Sequence, residues 1–127
     1  MLKTLAAGAL CLSLVSCAAA IVGLGAGLII SQEVLDNQVY VTQLSADVDD
    51  VWAVTKRSMA DMSTTVLEVD DDLRMVRGSV DNGTVTTTVE AFDLNRTVLK
   101  VKAVKYGLAN GELAKVVSDR IVNNLEK

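Results

Sequence analysis

At 127 residues the chain has room for one small domain. A formal charge of −4, with one Phe, one Trp and two Tyr, leaves out the basic footprint and stacking aromatics that nucleic-acid binding requires. There is no histidine, which removes the commonest general base, the usual activator of Ser and Cys nucleophiles and the commonest nitrogen ligand for metals.

The chain opens with a short positive start, Met1 to Lys3, followed by an apolar run from Leu5 to Val15. A charged start, an apolar stretch of 7–15 residues and a small residue before a cut are what signal peptidases read. Here Leu14-Val15-Ser16 is followed at once by Cys17, and the tetrapeptide matches the lipobox of bacterial lipoproteins. In those proteins the thiol takes a diacylglycerol and the chain is cut just before the cysteine. A thiolate is the strongest alkylation nucleophile among common side chains, which suits Cys17 to that role. The expected organisation is a signal peptide over residues 1–16, recognised through Leu14, Val15 and Ser16, and a lipidated N-terminus at Cys17. The competing reading is an uncleaved membrane helix, since no charge occurs between Lys3 and Glu33 and a span needs only about 20 apolar residues. Gly8, Gly23, Gly25 and Gly27 oppose it, as does the position of the small-residue cut.

Cleavage would remove Cys11 together with Lys3, so the mature chain would carry −5 and a single cysteine committed to lipid. No intramolecular disulfide could then form, and the fold must be held by its core alone. Ala18 follows the cysteine. In the lipoproteins this one resembles, export to the outer membrane is the default unless Asp stands there, so the expected location is the outer membrane with the domain facing the periplasm. Residues 17–33 are expected to form the lipid-bearing cysteine and an apolar Gly/Ala-rich tether lying against the membrane. The pair Gly23 and Gly27 has helix-dimer spacing, but one such pair is too weak a motif to specify pairing.

From Val34 to Lys127 the pattern is that of a compact α+β domain. Val39 to Leu44 reads as a strand rich in β-formers. Asp47 is a candidate helix N-cap, with Asp49 and Asp50 in the first turn. Val48, Val51, Trp52, Thr55, Met59 and Met62 follow at helical spacing and mark one apolar face. Ser63 to Val69 returns to strand character, Asp70-Asp71-Asp72 signals a turn, and Leu73 to Val80 is the next strand. Asn82-Gly83 predicts a hairpin because both residues tolerate positive φ. Thr84 to Phe92 alternates apolar and polar residues, Asp93 to Arg96 turn the chain, and Thr97 to Tyr106 alternates again. Asn110 can cap a last helix in which Leu113, Val117, Ile121 and Leu125 share a face.

The expected order is therefore β-α-β-β-β-β-α. Consecutive strands joined by hairpins imply an antiparallel sheet of four to five strands, with two helices packed on one face. The opposite face, bearing Thr86, Thr88, Lys100 and Lys102, should be polar.

The run Gln38-Val-Tyr-Val-Thr-Gln-Leu-Ser-Ala-Asp-Val-Asp-Asp-Val-Trp-Ala-Val-Thr resembles the opening of a family of small Gram-negative bacterial lipoproteins known only as a domain of unknown function. Members are similar in their lipobox, Gly/Ala-rich stretch, Asp-x-Val-Trp-like helix start and closing strand-loop-helix, here Val101 to Leu125. The resemblance implies a lipidated envelope protein and brings no active site with it. Ser45 to Trp52 is also similar to the segment opening helix-grip domains of the START type, which hold apolar ligands between a curved sheet and a long helix.

No residue pattern supplies catalysis. Glu68, Asp70, Asp71 and Asp72 offer oxygen ligands but lack the register and distal Glu of a dedicated Ca²⁺ loop, so a solvated turn is the simpler reading. Trp52 is read as a core anchor, and no Ser/Lys spacing singles out a nucleophile with its base. The expected protein is thus a non-catalytic, lipid-anchored envelope protein whose domain contacts a protein partner. It uses no cofactor or metal and binds no nucleic acid. The alternative is a lipid-anchored helix-grip domain holding a small apolar ligand, which a cavity lined by Trp52, Met59 and Met62 would favour.

Overall fold

Alternating apolar residues between Met75 and Lys105 build the centre of an antiparallel sheet. The computed structural model describes residues 28–35 and 37–127. Its elements are β1 (Ile29–Val34), β2 (Tyr40–Leu44), α1 (Val48–Met62), β3 (Glu68–Asp70), β4 (Met75–Val80), β5 (Gly83–Asp93), β6 (Arg96–Lys105), β7 (Leu108–Ala109) and α2 (Gly111–Leu125). The sheet order is β1-β2-β6-β5-β4-β3, every pairing is antiparallel, and β7 pairs with β6. Val104 of β6 faces Thr84 on one side and Ala109 on the other, so β7 lies along the same edge of β6 that β2 uses further down.

Register explains the core. Tyr40, Thr42 and Leu44 of β2 lie opposite Val101, Leu99 and Thr97 of β6. Val85, Thr87 and Val89 of β5 continue the same rows, and Val76 and Val80 of β4 extend them. All of these residues are buried, and the apolar ones form one cluster with Val51, Trp52 and Met59 of α1 and Leu113, Ala114, Val117, Ile121 and Val122 of α2. Because side chains alternate along a strand, the intervening residues face the other way. On that face Thr86, Thr88 and Lys100 are half-buried and Lys102 is exposed, with Lys100 paired to Glu90 at 3.1 Å and Arg77 to Glu68 at 2.8 Å. The sheet is covered by helices on one side; the other side is mixed rather than polar as expected, because buried Val41 and half-buried Met75, Val98 and Val104 share it with the Thr and Lys residues.

Both helix starts are fixed by the residues their sequence suggests. Asp47 Oδ2 accepts the Asp49 N–H at 3.1 Å, and Asn110 Oδ1 accepts the Leu113 N–H at 3.0 Å. Each cap satisfies a donor that the first turn leaves unpaired. Asn110 is joined by Gln38, whose Oε1 accepts the Gly111 N–H at 2.9 Å and so ties the start of α2 to the loop before β2.

Seven strands are present among the described residues, where four to five are expected from sequence. The additions are β1 and β7. Residues 29–33, grouped with the tether by their apolar neighbours, pair with β2 through backbone hydrogen bonds. Most of β1 is exposed, so it leaves no burial pattern to read. Strand β7 is a two-residue return after a tight turn in which Tyr106 and Gly107 both have positive φ.

Boundaries also differ: β4 begins at Met75 rather than Leu73, after Arg74 with positive φ. The strand expected from Ser63 to Val69 is reduced to Glu68–Asp70, because Ser63 bends the chain into a loop. Its Oγ accepts the N–H groups of Thr65 and Ser79, both at 3.2 Å, and the Thr64 N–H donates to the Ser79 carbonyl at 2.8 Å. Gly78 makes room for that loop: a Cβ there would lie 2.6 Å from Ser63 Oγ and 2.7 Å from a Leu67 methyl. The β4–β5 hairpin turns on Asp81 and Asn82, one residue earlier than expected. Gly83 already pairs with Val80, and a Cβ there would come within 2.6 Å of a Leu113 methyl.

Most buried hydroxyls are partnered. Thr42 and Ser118 meet at 3.2 Å between sheet and α2, Thr97 donates to the Ala46 carbonyl at 2.8 Å, and Asn124 donates to Ser58 Oγ at 2.7 Å between the helices. Thr55 is the exception. Its hydroxyl is fully buried with no hydrogen-bond partner among the described residues. An unpaired buried hydroxyl costs about 1–3 kcal/mol. Thr55→Val keeps the branched shape, so the variant should be more stable than the parent by about 1 kcal/mol. A higher urea midpoint with unchanged slope is the expected reading, and a lower midpoint would show that the hydroxyl is satisfied.

Candidate functional site

The acidic turn after β3 makes contacts within the fold. Asp70 Oδ1 accepts the Leu73 N–H at 3.0 Å and closes the turn. Asp71 Oδ1 accepts the Trp52 indole N–H at 3.0 Å and a Lys56 ammonium hydrogen at 3.1 Å. The same ammonium lies 5.1 Å from the centre of the Trp52 ring, within cation–π range. Trp52 therefore buries its ring in the core and keeps its polar edge on the rim of the sheet. Among the described residues, no three acidic or cysteine side chains converge on a point that could hold a metal ion.

Lys56 first, and the indole second, hold the Asp71 carboxyl below the usual carboxylate range. A carboxylate whose value is lower folded than unfolded contributes stability above its unfolded value, about 3.9, and that contribution is lost as pH falls through the lowered folded value. Asp71→Asn should therefore be weaker than the parent at neutral pH, with the difference closing in acid. Urea melts of the two proteins across that range check it, and a constant gap would refute the linkage.

The second feature lies at the end of the sheet where the described chain begins. Leu28 accepts the Ser45 N–H through its carbonyl at 2.7 Å, placing the start of β1 beside the end of β2. Two strand irregularities sit here. In β1, Ile29 pairs with Leu44 and Ser31 with Gln43, which leaves Ile30 as an inserted residue. In β5, Ala91 pairs with Thr97 and Asp93 with Arg96, which leaves Phe92 inserted in the same way. A bulge re-aims the extra side chain, and both Ile30 and Phe92 are exposed. Leu94, at the tip of the β5–β6 hairpin, is 89% exposed.

Hydrogen bonds hold that hairpin in place. Asp93 Oδ1 accepts the Asn95 N–H at 3.0 Å, and Asp93 Oδ2 accepts from Arg96 Nε at 2.7 Å. The Arg96 guanidinium, followed by the Asn95 amide, lowers the pKa of Asp93. That guanidinium also stacks 4.5 Å from the centre of the Phe92 ring. Ile30, Ser45 and residues 93–96 line a shallow groove of about 420 Å³ between the two strand ends.

A third feature occupies the opposite end of the sheet. Tyr106 is 83% exposed on its positive-φ turn, and Leu108 beside it and Val116 on α2 are exposed as well. A groove of about 340 Å³ runs from Val80 and Asp81 past Lys105 to Glu112, Leu113 and Val116. Sequence alternation does not single out these residues, because an apolar residue in a turn breaks the two-residue period without announcing exposure.

Of the residues expected to carry function, Leu14, Val15, Ser16 and Cys17 lie outside the described residues. Trp52 and Met59 are within the core cluster between helix and sheet, and Met62 packs against it. No helix among the described residues is long and apolar enough to cross a membrane.

Together these features define a small α+β domain, two helices on one face of an antiparallel sheet, with exposed apolar residues at both sheet ends. The chain belongs to the family described as "Protein of unknown function (DUF3568)", whose model matches residues 1–126. No curated protein matches the chain.

Proposed function

We propose that the chain is a non-catalytic, lipid-anchored protein of the bacterial cell envelope, with a folded domain that contacts a protein partner. Residues 1–16 serve as the signal peptide, Leu14, Val15 and Ser16 are read by the signal peptidase, and Cys17 carries the lipid. Ala18 after the cysteine directs the protein to the outer membrane, with the domain on the periplasmic side. The observation that carries this reading is the Leu14-Val15-Ser16-Cys17 step placed directly behind an uncharged apolar run. The family match supports it by spanning the leader and the domain as one unit.

Contact with a protein is favoured over a small apolar ligand because Trp52 and Met59 belong to the buried core cluster and apolar side chains stand exposed at the sheet ends. Tyr106 and Leu108 are of the types that supply buried area at interfaces, and aromatic residues are enriched there. The anchoring experiment is Cys17→Ala in the native envelope. The parent should have the intact mass of a chain starting at a diacylated Cys17, while the variant should stay uncleaved and unlipidated. A parent mass equal to the unmodified chain from Met1 would overturn the proposal.

A further inference from the structure

We infer that the sheet end formed by Ile30, Phe92, Leu94 and Arg96 rests on the surface of the bilayer that holds the lipid anchor, and that the lipid it meets is zwitterionic phospholipid. The inference rests on the lipid anchoring of Cys17 proposed above.

Three separate backbone features turn apolar side chains outward at this one end: the β1 bulge exposes Ile30, the β5 bulge exposes Phe92, and the two-residue hairpin tip exposes Leu94. None of the three is needed to fill the core. Single exposed apolar residues are ordinary on a protein surface, but a cluster confined to one end marks a surface that meets another phase or molecule.

The course of the chain chooses between the two apolar ends. Leu28 is bonded to Ser45 at this end, so the segment leading back to Cys17 departs from here. Eleven residue steps separate Cys17 from Leu28, a reach of at most about 40 Å. Residues 18–28 carry no charged or polar side chain, so partitioning of that segment toward the interface would draw the end closer still. The opposite end, with Tyr106 and Leu108, lies a further ten strand residues away along β6, about 33 Å.

Charge decides the kind of lipid. The cations of this end are already paired: Arg96 with Asp93, and Arg74, just before β4, with Asp49 at 3.8 Å. Asp47, Asp49 and Asp50 stand at the start of α1, three residues beyond the end of β2. An anionic surface would be repelled by Asp47 and Asp50 and would find Arg74 and Arg96 neutralised. A zwitterionic headgroup layer carries no such penalty and matches the Asp93–Arg96 pair. The Phe92 ring, with the guanidinium stacked on it, has the apolar body and polar edge that suit the headgroup boundary.

The test uses the full chain, purified from the envelope and reconstituted into phosphatidylcholine vesicles. Leu94→Cys and, separately, Phe92→Cys provide a single free thiol for an environment-sensitive fluorophore, and Leu108→Cys reports the opposite end. All three positions are exposed, so folding is not at stake. Labels at 94 and 92 should shift to the blue and lose most of their emission to spin-labelled lipids, while the label at 108 stays unquenched. Replacing part of the phosphatidylcholine by phosphatidylglycerol should not strengthen the effect. Intact mass of the same samples separates the two possible failures. A lipidated chain with labels 92 and 94 in water, or with 108 quenched instead, overturns the resting face and leaves the anchor standing. A chain without lipid overturns the anchor and the resting face together.

Discussion

Trp52→Ala should remove about 3–5 kcal/mol of folding stability. The ring is among the largest side chains in the core cluster and contacts the layer that joins α1 to the sheet. Truncation leaves a hole that neighbours on two elements cannot close together, since α1 is anchored at its start by Asp47 and the sheet is held by its ladders. Small domains hold only about 5–15 kcal/mol in total, so the variant would sit near its unfolding midpoint in mild denaturant. Trp52→Phe separates the two roles of the residue. It keeps much of the buried ring but deprives Asp71 of the indole donor, and exposed Asp71 can take water instead. Its loss should be clearly smaller than that of alanine. Urea melts followed by circular dichroism measure both, because the chain's only tryptophan is the residue being changed. An alanine variant as stable as the parent would place the ring outside the core.

What the sequence reveals and what it hides follow one physical division. Elements stabilised by burial carry their own pattern. The faces of α1 and α2, the alternation in β5 and β6, and the caps Asp47 and Asn110 are legible because each residue's character matches its environment. Elements stabilised by backbone pairing alone carry none. Strand β1 is an exposed edge whose inserted Ile30 breaks any two-residue period, and β7 is too short to have one. The loop from Ser63 to Leu67 reads as a strand from its Thr and Val content, yet it depends on a missing Cβ fifteen residues away at Gly78. Local composition cannot report such a partner.

The surfaces follow the same division. Asp70, Asp71 and Asp72 read correctly as a turn, but the bond from the Trp52 indole to Asp71 joins residues from different elements and appears only in the folded chain. A lipobox such as the one proposed at Leu14-Val15-Ser16-Cys17 is legible because it is a linear pattern. The apolar sheet ends are not, since their exposure arises from bulges and hairpin tips rather than from composition.

Ile121→Asp should abolish the native fold at neutral pH, whereas Val116→Asp, five residues earlier on the same helix, should leave it intact. Ile121 is fully buried, next to Val117 and Val122 on the α2 face that covers the sheet. Shortening that side chain alone would cost about 2–5 kcal/mol by loss of packing. The aspartate adds a carboxylate in a site built of apolar groups, where an unpaired charge is costlier than the lost contacts. The two costs together exceed what a domain of this size can absorb. Val116 is 60% exposed and keeps its substituent in water, so only the modest helix preference of aspartate changes there. Circular dichroism and limited proteolysis at neutral pH distinguish the pair. The parent and Val116→Asp should resist protease equally, and Ile121→Asp should be cut throughout. Protonating the new carboxyl removes its charge but not the lost packing, so mild acid should restore part of the structure at most. A protease-resistant Ile121→Asp with native dichroism would show that α2 does not hold the sheet through this face.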